Sequence, residues 1–223
     1  MSKLSDDLEE KDMAEIADQK KKILALEQQL EKTQNRVQEL LENTRWTADE
    51  HEDIVKVLTK KSENDPLTGL ANREKMRYFL DDEIAKFERY GQSLSLIELD
   101  LDHFKKINDT HGHLAGDEVL KSISETIKKS IRKTDLAVRY GGEEFIIVLP
   151  NTSGEESKNF AERLRKNIEQ NMVNFGNKTI KVTASLGVAE LKKGETEKNL
   201  LCKADKALYS SKGNGRNQIN YAE

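Results

Sequence analysis

The chain reads as a mixed α/β domain preceded by a long coiled-coil helix. Three features lead to that reading. Composition breaks at Asn64: residues 1–64 hold 11 Lys/Arg and 16 Asp/Glu, net −5, without Gly or Pro, whereas all 12 Gly and both Pro lie beyond it. Before the break, apolar residues recur at alternating steps of three and four. After it, helix-period apolar stripes are interspersed with short alternating or β-branched runs. The expected division is residues 1–63 for a dimerising, signalling helix and 64–223 for one domain with a sizeable core.

In the first segment Ile23, Leu30, Val37 and Leu58 fall at a positions, and Leu26, Leu40 and Ile54 at d. A breaker-free heptad run with charged flanks predicts a parallel coiled coil and a homodimer. The alternative is one long helix packed on its own domain. The seam weakens at Thr44, Thr47 and His51, where a second register places Leu41, Ala48 and Val55 at a. Two registers of similar quality describe a two-state element able to rotate the domain attached to its carboxyl end. Trp46 lies off both seams.

Asn64-Asp65-Pro66 and Gly69 are turn signals. Asn72 is placed to cap a helix over about 73–90, with Met76, Phe79, Leu80, Ile84 and Phe87 on one face and Gly91 ending it. Residues 93–99 alternate as a strand that finishes in Asp100-Leu101-Asp102, two carboxylates where α/β sheets expose ligands. Leu136–Tyr140 and Ile146–Leu149 flank Gly141-Gly142-Glu143-Glu144-Phe145, a hairpin with paired carboxylates past its turn. Glycines admit a ligand close to backbone, and neighbouring carboxylates suit a hard divalent cation. Taken alone, that hairpin reads equally well as an ordinary solvated edge. Further helices are expected to about Ser130, over 155–171 and over 200–212, with a strand over 178–190.

The net charge of −4 gives no bulk-basic face, so no nucleic-acid polymer is expected as partner. No apolar run approaches the ~18 residues of a membrane span, and no signal-peptide pattern is expected from the opening residues. The single cysteine, Cys202, is expected to pack as a small hydrophobe, and a cytoplasmic location fits. His111 and His113 read as structural rather than as zinc ligands, since no Cys cluster accompanies them.

Five motifs together resemble the GGDEF domain family, the diguanylate cyclases. Asp65-Pro-Leu-Thr-Gly-Leu-Ala-Asn-Arg73 resembles its opening motif. Asp100-Leu-Asp-His-Phe-Lys-Lys-Ile-Asn108 and Gly112-His-Leu-Ala-Gly-Asp117 resemble its metal, phosphate and guanine loops. Gly141–Phe145 is its signature in the GGEEF form, and Lys212-Gly-Asn-Gly-Arg216-Asn217 resembles its closing motif. The resemblance implies a palm-like fold similar to nucleotidyl cyclases, with a central, mostly antiparallel sheet flanked by helices. It implies condensation of two GTP into cyclic di-GMP with release of two pyrophosphates, each domain of a dimer holding one GTP.

The family's site residues carry over motif by motif. Asp100, the Leu101 carbonyl and Glu143 would ligate Mg²⁺, two ions per half-site, with Mn²⁺ as a substitute. Glu143, with Glu144 beside it, is the candidate for proton handling. His103, Phe104 and Lys105 would present backbone N–H groups to phosphate, Lys105 adding charge; many relatives carry an aromatic where His103 stands. Lys212 and Arg216 would complete the phosphate clamp, Gly141 and Gly142 would leave room for α-phosphate and ribose, and Asn108 and Asp117 would read guanine. Asp117 would at the same time serve as an amino-terminal helix residue. Arg132 and Asp135 match an inhibitory Arg-x-x-Asp product site, with Arg163 as its secondary arginine; Arg132 and Asp135 alone also read as a surface ion pair. The rival readings are an inactive cyclic di-GMP receptor, a structural oligomeriser, and a maker of adenine-containing cyclic dinucleotides, which Asp117 disfavours.

Overall fold

A computed structural model describes residues 2–43, 63–176 and 178–222, with side chains in the first stretch described over 19–39. The chain divides into two units, Met1–Thr59 and Lys60–Glu223. The first contains helix α1, Ser2–Asn43. Its seam residues Ile23, Leu26 and Leu30 are exposed, as is Leu24 between them. The Leu40 and Leu41 side chains, and every position of the second register from Thr44 to Leu58 with Trp46, lie outside the described residues.

The second unit runs α2 (Arg73–Tyr90), β1 (Leu94–Leu101), α3 (Phe104–His111), α4 (His113–Ser130), β2 (Leu136–Arg139) and β3 (Glu144–Pro150). It continues through α5 (Gly154–Gln170), β4 (Met172–Phe175), β5 (Lys178–Lys181), β6 (Ala184–Glu190), α6 (Glu197–Gly213) and β7 (Ile219–Ala222). The main sheet has the order β2-β3-β1-β6-β7; β6 and β7 are parallel and the other pairings antiparallel. The expected mostly antiparallel sheet flanked by helices is therefore present.

β1 is central and buried along its whole length. Side chains alternate across a strand, and the two faces serve two cores. Ile97, Leu99 and Leu101 pack with Val119 and Ile123 of α4 and Leu164 of α5. Leu94 and Leu96 pack with Met76 and Leu80 of α2 and Ala204 of α6. The same alternation puts Glu98 and Asp100 on the α2–α6 side. Helix α2 keeps its expected limits: the Asn72 side chain accepts from the Lys75 N–H at 3.0 Å, and Gly91 closes it at φ 68°.

Three expectations are corrected. The single strand over 178–190 is two, because Thr183 turns its hydroxyl and carbonyl to Asp102 at 2.6 and 2.8 Å; β5 pairs with β4 in a separate ribbon. Cys202 is exposed rather than packed; the inward positions of α6 are Leu200, Ala204, Ala207, Leu208 and Ser211. Phe104 and Lys105 open a helix instead of continuing a loop.

Candidate active site

The carboxyl-terminal end of β1 meets the turn between β2 and β3. Asp100 lies opposite Glu144 on β3 and Ser185 on β6, and the Leu101 N–H donates to the Glu143 carbonyl at 3.3 Å. Asp100, Leu101 and Glu143 are thus neighbours across 43 residues of chain. Asp100 is 8% exposed, and its Oδ2 takes the Lys212 ammonium at 2.8 Å. Burial, followed by the Asp100 charge, pushes the Glu143 carboxyl above the usual range, while Lys212 opposes the rise. A carboxylate whose ionisation is opposed by a neighbouring carboxylate, beside a backbone carbonyl, forms a donor set that a hard cation relieves. The residues fit Mg²⁺. Among the described residues no group of three or more His, Cys, Asp or Glu is arranged for a metal, so a cation here would also need ligands from its substrate.

The turn is held from behind. Arg139 Nη1 reaches both Asp65 oxygens at 3.1 Å, while its Nε and Nη2 donate to the Gly142 carbonyl at 3.1 and 2.9 Å. Burial alone would raise the Asp65 carboxyl, but hydrogen bonds from Thr68 and then Arg139 hold it below its ordinary value. The opening motif and the signature turn are therefore one hydrogen-bonded unit. A Cβ on Gly141 would stand 2.7 Å from Oε2 at the movable end of the Glu144 side chain, whereas a Cβ on Gly142 would face open space.

Beyond β1 the chain turns at His103, which adopts φ 58° and accepts the Lys106 and Ile107 amides at 2.9 and 3.3 Å. The amides of Phe104 and Lys105, first in α3, have no protein acceptor among the described residues. Such free amides at a helix N-terminus suit phosphate. The Phe104 ring is buried in the core and Lys105 is exposed. Helices α3 and α4 join at Gly112, φ 83°. A Cβ on Gly116 would collide with Asn108 Oδ1, so that glycine makes the room in which the Asn108 amide lies. Asp117, half-buried, stands past the first turn of α4 rather than at its start, because the helix begins at His113.

Asp102 has a different fate from Asp100. Its carboxylate is 5% exposed and accepts from Thr183 Oγ1 at 2.6 Å, Ser185 Oγ at 2.7 Å and the Asn217 N–H at 3.0 Å. Asn217 also bonds Arg165 at 2.6 Å and Glu169 at 2.7 Å, tying the closing motif to α5. This network positions Lys212 at the end of α6 and Arg216, exposed at φ 65°, just beyond it.

Arg132, Asp135 and Arg163 do come together, lining a cavity of about 220 Å³ with Glu156 and Phe160. Arg132 and Asp135 form no side-chain ion pair; the Arg132 backbone N–H donates to Asp135 Oδ2 at 2.8 Å, which leaves the guanidinium available. His111 Nδ1 is buried without a partner among the described residues. Sequence reasoning missed Arg139, Gly116, Asp102 as a hub, and Glu98. Burial, then the charges of Asp205 and Glu144, push the Glu98 carboxyl up to about 7; an acidic residue in a strand otherwise buried on both faces was the available signal.

A family profile described as "Diguanylate cyclase, GGDEF domain" matches residues 62–218. Diguanylate cyclase DgcP of Pseudomonas aeruginosa is 42% identical over 163 residues, covering 73% of this chain and 24% of that protein. Response regulator PleD of Caulobacter vibrioides is 40% identical over 158 residues, covering 70% of this chain and 35% of PleD. The chain thus spans about a quarter to a third of the length of these curated relatives. Among solved structures, the coiled coil and GGDEF domain of DgcB from Caulobacter crescentus, in complex with c-di-GMP, matches with TM-score 0.71 and 31% identity over 88% of this chain and 99% of that one. Diguanylate cyclase SiaD of Pseudomonas aeruginosa, in complex with its activator SiaC, matches with TM-score 0.70 and 33% identity over 99% of this chain and 87% of that one.

Proposed function

This chain belongs to the GGDEF domain family, and on that premise we propose that it is a diguanylate cyclase, joining two GTP into cyclic di-GMP with loss of two pyrophosphates. The juxtaposition of Asp100, Leu101 and Glu143 beside Lys212 carries the reading. Asp100, the Leu101 carbonyl and Glu143 would hold Mg²⁺. When bound, the cation neutralises phosphate charge and acidifies a ribose hydroxyl.

The protein's own groups do the rest. The free amides of Phe104 and Lys105 take the terminal phosphates, with Lys105, Lys212 and Arg216 supplying positive charge. The His103 side chain is replaceable, because that contact is through backbone. Asn108 and Asp117 accept and donate along the guanine edge; adenine offers no paired donors to a carboxylate there, a loss of ~1–3 kcal/mol. Gly141 and Gly142 let the α-phosphate approach the turn. Glu143 receives the proton of the attacking 3′-hydroxyl, and Glu144 stands next in sequence.

One domain binds one GTP, so two domains must face each other. The exposed Ile23, Leu24, Leu26 and Leu30 support a parallel coiled coil as the dimerising element, with residues 1–63 as stalk and 64–223 as catalytic domain. The shared cavity of Arg132, Asp135 and Arg163 supports product feedback, and two related structures were solved with c-di-GMP. No helix among the described residues is long and apolar enough to cross a membrane. The test is incubation with Mg²⁺ and GTP, followed by chromatography. Cyclic di-GMP is expected; unchanged GTP or GDP alone contradicts the reading. Arg132→Ala is expected to relieve product inhibition, and unaltered inhibition refutes that site.

A further inference from the structure

Gly116 lies buried in the first turn of α4, without the positive φ that six other glycines of the domain adopt. Its backbone conformation therefore suits any residue, and glycine is the least favourable choice after proline inside a helix. The demand for glycine comes from space. A Cβ built here would stand 1.9 Å from Asn108 Oδ1, 3.0 Å from Asn108 Cγ and 3.2 Å from Phe104 Cζ. The Asn108 amide of α3 thus rests on the α4 backbone where a side chain would otherwise be.

Burial decides which neighbour would yield. The Phe104 ring is 5% exposed and shares the core with Ala115 and Val119 of α4. Asn108 is only half-buried. Its backbone carbonyl accepts the Gly112 N–H at 2.8 Å, but its side-chain amide bonds no other described residue. Shape alone seats that amide. A methyl group at position 116 would swing it aside while leaving the Phe104 packing and the helix hydrogen bonds in place. The displacement is cheap for the fold, because no bond within the protein is lost. It is costly for a ligand that needs the amide already in place.

We propose that Gly116 is a positioning residue for guanine recognition, its absent side chain seating the Asn108 amide where the base edge is read. Asp117 follows it directly, so adjacent residues of α4 supply one guanine contact and the room for the other. This role rests on the cyclase reading through the assignment of Asn108 to guanine.

The test is calorimetric titration of the full chain, with Mg²⁺ present, using GTP and ATP analogues whose α–β bridge resists cleavage. Gly116→Ala should weaken the guanine analogue roughly ten- to fiftyfold and the adenine analogue less than twofold. Its urea unfolding midpoint should equal or exceed that of the wild type. Asn108→Ala should show a similar loss for guanine. Both substitutions together should bind no more weakly than Asn108→Ala alone, since the room serves nothing once the amide is gone. Guanine affinity retained in Gly116→Ala, equal losses for both nucleotides, or multiplied losses in the double variant overturns the role. A wild-type chain that binds the guanine analogue yet forms no cyclic di-GMP from GTP contradicts the cyclase reading alone, which keeps the two failures distinct.

Discussion

Asp100 and Asp102 leave the same strand two residues apart, and the protein treats them in opposite ways. Asp102 is saturated by two hydroxyls and a backbone N–H. Asp100 has only the flexible Lys212 ammonium and stands beside Glu143, whose ionisation it opposes. The same contrast runs through the domain. The Asp65–Arg139–Gly142 and Asn217–Arg165–Glu169 networks are complete, while the Phe104 and Lys105 amides and the Glu143 carboxylate are not. Complete polar networks fix a scaffold, whereas the groups they leave unsatisfied mark where a ligand belongs.

The contrast is breakable by substitution. Glu143→Gln should lower turnover about 10³-fold at constant fold stability, because it removes a charge aimed at ligand. Comparable unfolding midpoints with lost activity in a nucleotide assay would bear this out. Asp102→Ala should do the reverse in kind, costing about 3 kcal/mol in urea unfolding, since three donors lose a buried acceptor. Should the Asp102 variant retain full stability, the scaffold half of the contrast is wrong.

Arg139→Ala should reduce kcat roughly tenfold or more with KM for GTP nearly unchanged, because the Gly142 carbonyl loses its brace while the phosphate and guanine contacts remain. Arg139→Lys should not restore it, as a point charge cannot span Asp65 and Gly142 together. Equal losses in kcat and GTP affinity would point instead to a general loosening.

The smallest effect is a pH dependence of stability from Glu98. Its folded-state carboxyl sits near 7, above the ordinary 4.5, so the folded chain holds that proton more tightly. Stability from this group is therefore present at low pH and lost as pH rises through that window. Glu98→Gln should flatten the profile and stabilise the protein above pH ~7 by about 1–2 kcal/mol, below the full linkage value because some solvent contact remains. An unchanged profile between acid and neutral pH would remove the cause assigned here.

Most of the architecture was legible because periodicity reports which face of an element is buried. The α2 stripe with its Asn72 cap, the β1 alternation and the signature hairpin all come from it. Periodicity does not report partners. Nothing local separates Asp100 from Asp102; the difference comes from Thr183, Ser185 and Asn217, more than 80 residues away. Arg139 and Asp65 are similarly distant, 74 residues apart. The break between β5 and β6 and the parallel β7 were invisible for the same reason, as each is set by a long-range bond. Motif spacing picked out the candidate site residues, and the fold brings Asp100, Leu101 and Glu143 together.

The central claim, that the Asp100–Glu143 pair holds the cations, is tested most directly by manganese. Mn²⁺ binding followed by electron paramagnetic resonance, with a GTP analogue whose α–β bridge resists cleavage, should give two bound ions per wild-type chain. Glu143→Gln should lose this binding, while Arg132→Ala keeps it. Full occupancy in the Glu143→Gln chain would contradict the account.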